Sequence, residues 1–173
     1  MNEYNLPDNG LPTILGTFTF LRVDGQTLMM KRDKDSTDFL YGKCVAPGGK
    51  IEDIDKTPED CAHRECFEET DLTLIRPLTN RGRVFFDNKN RNFGGKPAKF
   101  NFLVYIFESN SYTGSLDYNK DPKGTPIWVP NNKLRDLPIE RGDHFIIDWI
   151  EQGVIMNHRI ILSDKDARYE SLG

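Results

Sequence analysis

Glu65, Glu68 and Glu69 lie in the stretch Arg64-Glu65-Cys66-Phe67-Glu68-Glu69-Thr70-Asp71-Leu72. On a helix, steps of three and four residues put all three carboxylates on one face. An acidic trio of this kind is ordinarily a solvated surface. Here it falls past the first helical turn, where the dipole no longer favours acids, and like charges so spaced cost roughly 0.2–0.5 kcal/mol per pair. A divalent cation reverses the sign of that cost. Mg²⁺ takes oxygen ligands, keeps several waters and is shared between a few carboxylates and a substrate's phosphates, so the trio is a candidate Mg²⁺ site, with Mn²⁺ as the alternative ion. Upstream, the short run Cys44-Val45-Ala46 ends at Pro47-Gly48-Gly49. Glycines at such a turn let backbone groups approach a ligand. Gly48 and Gly49 are therefore candidate substrate contacts, and loop and helix together read as a pyrophosphate site.

The elements that must position these groups are legible nearby. Thr57-Pro58-Glu59-Asp60 opens a helix: Thr57 caps it, Pro58 suits the first helical position and the acids suit its dipole. The helix is expected to end at about Thr70, with Ala62 and Cys66 facing the core. Residues 14–23 and 28–32 read as antiparallel strands joined by the hairpin signal Asp24-Gly25. Residues 80–87 and 99–108 read as two more strands, flanking a Gly/Asn/Lys-rich segment, 88–97, expected to be a long hairpin or a flap with a mobile tip. After a polar loop, 109–125, a short strand is expected at 126–129, and an apolar helix at 143–152 that stops at Gly153.

The bulk composition agrees with a folded domain. The chain has 173 residues, 37% hydrophobic and 29% charged, which excludes disorder and fibre classes. We expect one domain over 1–173, with a core at about 13–152 and a C-terminal extension at 153–173. Net charge is 23 − 27 = −4, which disfavours a broad nucleic-acid grip. No stretch has the roughly 20 apolar residues of a membrane span and the start carries no signal pattern, so a cytoplasmic location without a membrane partner is expected. Cys44, Cys61 and Cys66 show no metal-ligand spacing and read as reduced structural thiols. His63, His144 and His158 show none either and receive no role. Trp128, Phe85, Phe86 and Phe102 are read first as core, second as nucleobase stackers.

The stretch resembles the Nudix box of the Nudix (MutT-like) hydrolases: a glycine, five residues, Glu, seven residues, then Arg-Glu-apolar-x-Glu-Glu-x-Gly-apolar. Arg64, Glu65, Cys66, Glu68, Glu69 and Leu72 match position by position. The box departs from the pattern in three places. One extra residue stands between Gly49 and Arg64, the usual box Glu is replaced by Lys56 with Asp55 beside it, and Asp71 stands for the late glycine. A further Glu common in a late loop corresponds to Lys123, with Asp121 the nearest acid.

The resemblance implies an α+β fold, an α/β/α sandwich around a mixed curved sheet. It implies a Mg²⁺-dependent hydrolase that cleaves the pyrophosphate link of a nucleoside diphosphate derivative by attack of water on phosphorus. Glu65, Glu68 and Glu69 would be ligands and catalytic groups. Arg64, about 100° round the helix from Glu65, would brace the loop through Glu52 or Asp55. The ending Trp128-Val129-Pro130, Leu137-Pro138 and Gly142-Asp143, followed by an apolar helix, resembles members that hydrolyse oxidised purine nucleoside triphosphates, which implies a base-reading role for Asp143, although Val45 stands about where those members often carry an asparagine. The alternative is a degenerate Nudix domain that senses a nucleotide without cleaving it, a reading prompted by Lys56 and Lys123. The expected partner is a small nucleotide, with a homodimer as the prior for assembly.

Overall fold

The structure, a computed structural model, describes residues 4–173. Strands β1 (Thr13–Val23) and β2 (Gln26–Lys31) form the expected hairpin. Asp24 and Gly25 both take left-handed angles, φ 50° and 75°, as the tight turn matching strand twist requires. Then follow β3 (Cys44–Val45), α1 (Pro58–Thr70), β4 (Thr73–Leu74), β5 (Thr79–Asn90), β6 (Asn92–Phe93), β7 (Lys96–Pro97), β8 (Asn101–Ser109), β9 (Tyr112–Thr113) and β10 (Thr125–Pro130). A 3-10 turn at Asn131–Asp136 leads to α2 (Arg141–Glu151), β11 (Met156–Ser163) and β12 (Ala167–Ser171).

The main sheet runs β10-β2-β1-β8-β5-β11-β12, with β3 paired to β2. It is mixed, because β1 pairs with β8 and β5 with β11 in parallel while their other pairings are antiparallel. Alternation along β8 shows how both faces are used. Val104 and Ile106 join Phe20, Val84, Phe86 and Ile160 under Ile146 and Ile150 of α2. Phe107 turns the other way, into the cluster that holds Ala62 and Cys66 of α1. One helix on each face makes the expected α/β/α sandwich, in which a strand buried on both sides must be apolar at nearly every position.

Helix α1 begins as its sequence dictates. Thr57 Oγ1 accepts from the Asp60 N–H at 3.1 Å, and Asp60 Oδ2 accepts from the Thr57 N–H at 3.0 Å, a reciprocal cap that satisfies two otherwise orphaned amides. At the far end Asp71 takes a left-handed conformation, φ 67° and ψ 8°, and its N–H returns to the Phe67 carbonyl. An aspartate tolerates the angles that the family's glycine supplies.

One segment differs from the sequence-based expectation, and another gains anchors it did not foresee. Residues 153–173, expected as an extension beyond the core, contain β11, whose Ile160 is fully buried at the centre of the α2-side cluster. Residues 88–97, expected as a long hairpin or flap, begin inside β5 and form the small hairpin β6-β7, with side-chain and backbone anchors at its base. Arg91 is ion-paired with Glu140, and Asn92 donates to Asp164 from its backbone at 2.7 Å and its side chain at 2.6 Å. Those anchors come from parts of the chain about 50 and 70 residues away, which local composition does not reveal.

Because β11 lies between β5 and β12, a chain ending at Gly153 should lose its cooperative thermal transition. Ile160→Ala in the full chain should cost roughly 2–5 kcal/mol. Circular dichroism melts check both; a truncated chain that still melts cooperatively would make 153–173 dispensable.

Candidate active site

Loop 47–51 is laid along the free edge of β1 by backbone hydrogen bonds. Thr19 N–H donates to the Pro47 carbonyl at 2.8 Å, Thr17 N–H to Gly49 at 2.9 Å, and Ile51 N–H to Leu15 at 2.9 Å. The glycines are required by proximity. A Cβ on Gly48 would stand 2.0 Å from the Thr17 carbonyl oxygen, and one on Gly49 would stand 2.4–2.6 Å from the Glu65 carboxylate. Gly48 N–H in turn donates to Glu69 Oε2 at 3.0 Å. The loop therefore touches two of the three candidate glutamates, and both are largely buried.

Arg64 is the fork that joins loop and helix. Its Nε and Nη2 donate to the two oxygens of Asp55 at 3.0 and 2.8 Å, and Nη2 also reaches the Lys50 carbonyl at 3.1 Å. The bond to Arg64 holds the Asp55 carboxyl well below the usual carboxylate range. The extra loop residue makes this possible: a turn in which the Glu52 N–H donates to Asp55 Oδ2 at 2.9 Å faces Asp55 inward. Of the two expected partners it is Asp55 that meets Arg64, while Glu52 and Lys56 are exposed. Arg64 also does more than brace the loop, since Nη1 donates to Glu65 at 2.8 Å and to Glu68 at 3.2 Å. The long guanidinium spans the 100° that separates the backbones.

Glu69 faces a second arginine that the sequence reading did not single out. Arg32 donates to Asp38 at 2.8 and 2.6 Å and to Asp121 at 3.3 Å, and its Nη1 stands 3.9 Å from Glu69 Oε1. Asp121 is buried against it, whereas Lys123 is exposed. Burial pushes the Glu69 carboxyl up to about 8, with repulsion from Asp121 and Glu65 added and only the Gly48 N–H and Arg32 opposing. Burial raises Glu65 as well, against the pull of Arg64. Glu68 is the outlying member, its side chain 56% exposed and turned to Arg64.

Among the described residues no three acidic, histidine or cysteine side chains close into a ready-made metal cage. Glu65 and Glu69 nevertheless fit a hard cation: they present buried oxygens beside the glycine turn, and burial, which raises both carboxyls, disfavours their ionised form unless a cation joins them. The cysteines do not compete for the chemistry. All three are buried and free, and burial pushes the Cys61 thiol up to about 11 and Cys66 up to about 12.

A cavity of about 230 Å³ opens on the other side of the glycine turn. Gly48, Gly49 and Lys50 form one wall, Phe18, Phe86 and Phe102 an apolar wall, and Asn88 and Asp143 its polar part. Phe39, 61% exposed on the loop after β2, meets Phe93 edge-on at 5.2 Å, and both rings line the cavity. Burial pushes the Asp143 carboxyl up to about 7, helped by repulsion from Glu140 and opposed by Arg91 and Lys43. Asn88 is buried, gives its amide to the Phe100 carbonyl at 3.1 Å, and leaves its Oδ1 without a partner. Sequence reasoning missed Asn88, Phe39 and Phe93. Val45 does line the cavity without an amide, and β5 brings one in from elsewhere. Of the aromatics weighed as stackers, Phe86 and Phe102 reach the cavity, whereas Phe85 and Trp128 pack in other clusters.

If Asp55 is the brace, Asp55→Ala should destabilise the protein by roughly 2–3 kcal/mol, since it strands a partly buried guanidinium. Glu52→Ala and Lys56→Glu should each stay within about 0.5 kcal/mol of the parent. Denaturant titrations of the three variants decide this, and a large loss in Glu52→Ala would move the brace to that residue.

The NUDIX domain profile matches residues 13–150. The chain is 28% identical over 138 residues to YvcI, an uncharacterized Nudix hydrolase of Bacillus subtilis (strain 168), covering 80% of this chain and 79% of that one. Among solved structures it is similar to a mutator MutT protein from Bacillus halodurans, with TM-score 0.73, 19% identity, and 91% and 97% of the two chains covered. It also resembles the NUDIX domain of NrtR from Shewanella oneidensis, solved with ADP ribose, with TM-score 0.65, 13% identity, and 88% and 93% covered. The two solved folds support the architecture, and the profile, spanning the glycine loop, the glutamate helix and the cavity, establishes that this chain belongs to the Nudix family of hydrolases, which act on nucleoside diphosphate derivatives.

Proposed function

We propose that the chain is a Mg²⁺-dependent pyrophosphohydrolase of purine nucleotides, with oxidised purine nucleoside triphosphates as the preferred class. The observation that carries this reading is continuity: one side of the Gly48-Gly49 turn touches Glu65 and Glu69, and the other forms a wall of the cavity. A base in the cavity therefore places its phosphates at the carboxylates. At about 230 Å³ the cavity is smaller than the roughly 300–1,000 Å³ of pockets that enclose drug-sized ligands, which suits a base alone with its ribose and phosphates outside.

Each residue then has a task. Phe18, Phe86 and Phe102 exclude water from the base, and Phe39 and Phe93 supply ring edges at the mouth. Asn88 Oδ1 accepts a hydrogen bond from the base edge. Asp143, with its carboxyl near half-protonated at neutral pH, donates or accepts beside it. Glu65, Glu68 and Glu69 hold Mg²⁺, which when bound neutralises phosphate oxygens and acidifies a water. Arg64 keeps Glu65 and Glu68 in place against their mutual repulsion, and a carboxylate of this set takes the water's proton as the water attacks one phosphorus and the bridging P–O bond breaks, its electron pair leaving with the other phosphate. Lys56 and Lys123, both exposed, do not oppose the cation, so the main sequence argument for a non-cleaving sensor loses its force. Among the described residues no helix is long and apolar enough to cross a membrane, and net charge remains unfavourable for polyanions. A cytoplasmic nucleotide pool is the proposed setting.

A Mg²⁺ titration of phosphate release over nucleoside triphosphates, 8-oxo-dGTP, ADP-ribose, NADH, dinucleoside polyphosphates and sugar nucleotides tests the reading. Purine triphosphates should lead, and Glu69→Gln should lower turnover by on the order of a hundredfold or more. Tight nucleotide binding with no turnover on any substrate would establish the sensor instead, and a lead for ADP-ribose would overturn the triphosphate assignment.

Asp143 gives a pH signature. Its folded pKa of about 7 lies above an unfolded value near 3.9, so burial of the ionised form costs stability that accumulates as pH rises between the two and is constant above. Asp143→Asn removes that cost. Its stability advantage over the parent should widen by on the order of 2 kcal/mol between about pH 5 and about pH 7. Parallel melts that show a pH-independent gap would place Asp143 outside the cavity's dry part.

A further inference from the structure

We infer that β12 is a homodimer edge, on which a second copy of this chain adds its own β12 in antiparallel register centred on Tyr169. β12 ends the main sheet, and among the described residues nothing pairs with its outer side. The ladder fixes which residues face outward. Leu172 N–H donates to the Asn157 carbonyl at 2.8 Å and Ser163 N–H to the Asp166 carbonyl at 2.9 Å. Backbone groups alternate sides along a strand, so 168, 170 and 172 turn theirs to β11, whereas Ala167, Tyr169 and Ser171 turn theirs out. A two-fold axis at Tyr169 then makes Tyr169 of the two copies a hydrogen-bonded pair that exchanges N–H and C=O.

The side chains select that register and that partner. With Tyr169 opposite Tyr169, Arg168 of each copy falls opposite Glu170 of the other, so the sequence Arg-Tyr-Glu is charge-complementary to itself when reversed. Arg168 is exposed and forms no ion pair among the described residues, while Glu170 is 2.8 Å from Arg159 and half exposed. Centred on Ala167 instead, Arg168 would face Asp166, which precedes β12, and Glu170 would fall opposite Asp164, a like-charge pair that the Tyr169 register avoids; a shift the other way leaves both charges without a partner. On the opposite face Tyr169 is packed edge-on against Trp149 at 5.1 Å and Phe145 at 4.9 Å, yet remains 52% exposed. An open edge carrying an exposed aromatic invites association, and the two-fold covers one Tyr169 with the other. Two strands lie between this edge and β8 and three between it and β1, against which the glutamate helix packs, so hydrolysis need not depend on it.

Analytical ultracentrifugation across protein concentration, with charge-reversal variants, tests the inference. The parent should dimerise. Arg168→Glu alone and Glu170→Arg alone should each weaken dimerisation by about tenfold or more, because both cross-strand pairs become repulsive. An equimolar mixture of those two variants should recover a heterodimer, since each Glu then meets an Arg, and the double variant R168E/E170R should recover a homodimer. If Glu170→Arg misfolds through loss of the Arg159 contact, Arg168→Glu still decides, together with hydrogen exchange. On dimerisation the Tyr169 amide should gain protection, whereas Arg168 and Glu170 amides, already bonded to β11, should change little. A parent that stays monomeric at the highest concentration, or a dimer indifferent to Arg168→Glu, overturns the inference.

Discussion

The Gly48-Gly49 backbone fills the gap between β1 and the acidic face of α1: a Cβ on Gly48 would stand 2.0 Å from the Thr17 carbonyl oxygen, and one on Gly49 would stand 2.4 Å from the Glu65 carboxyl. That contact sets the position of everything else at the site. It brings a backbone N–H to Glu69, lets the Glu65 carboxylate lie against the chain, and turns the loop's far side into a cavity wall. Close approach of this kind is available only to glycine, and it works because β1 leaves its edge open over residues 15–19 to hydrogen-bond the loop.

The charges gathered round that contact are arranged at a cost to the fold. Glu65, Glu68, Glu69, Asp55 and Asp121 share two guanidinium groups, Arg64 and Arg32, and burial, with some repulsion from the neighbouring acids, raises the Glu65 and Glu69 carboxyls despite them. A stability-optimised helix would place lysines among these acids. Carboxyls that burial holds away from their ionised form, gathered at a cleft, are a mark of a functional site.

Much of this was legible in the sequence because it is local. The Thr57 cap, the Asp24-Gly25 turn, the left-handed Asp71 and the common face of three glutamates all depend on residues within a few positions of each other. The exchange of a box glutamate for Asp55 was legible as one of two options, and the loop's turn decided between them. What was hidden is non-local. Arg32, Asn88, Phe39 and Phe93 acquire their surroundings from strands and loops far along the chain. β11 escaped notice because its sequence, Met-Asn-His-Arg-Ile-Ile-Leu-Ser, mixes polar residues into a buried strand, and Arg159 can lie there only because Asp87 of β5 receives it.

Arg32 shows why the cavity and the carboxylates act as one frame. It grips Asp38, the neighbour of Phe39, on one side, and on the other it holds Asp121 and approaches Glu69. The loop that carries an aromatic ring to the cavity mouth is thus fastened to the same guanidinium that faces the innermost glutamate. Arg64 does the corresponding work at the other end of the helix face, where Asp55 fastens the glycine loop and Glu65 and Glu68 are held by the same fork. Ionised, many-armed side chains suit this duty better than apolar packing, because a planar guanidinium fixes the direction of each partner as well as its distance. The loop after β2, the glycine loop and the helix it leads into are in this way held to one geometry.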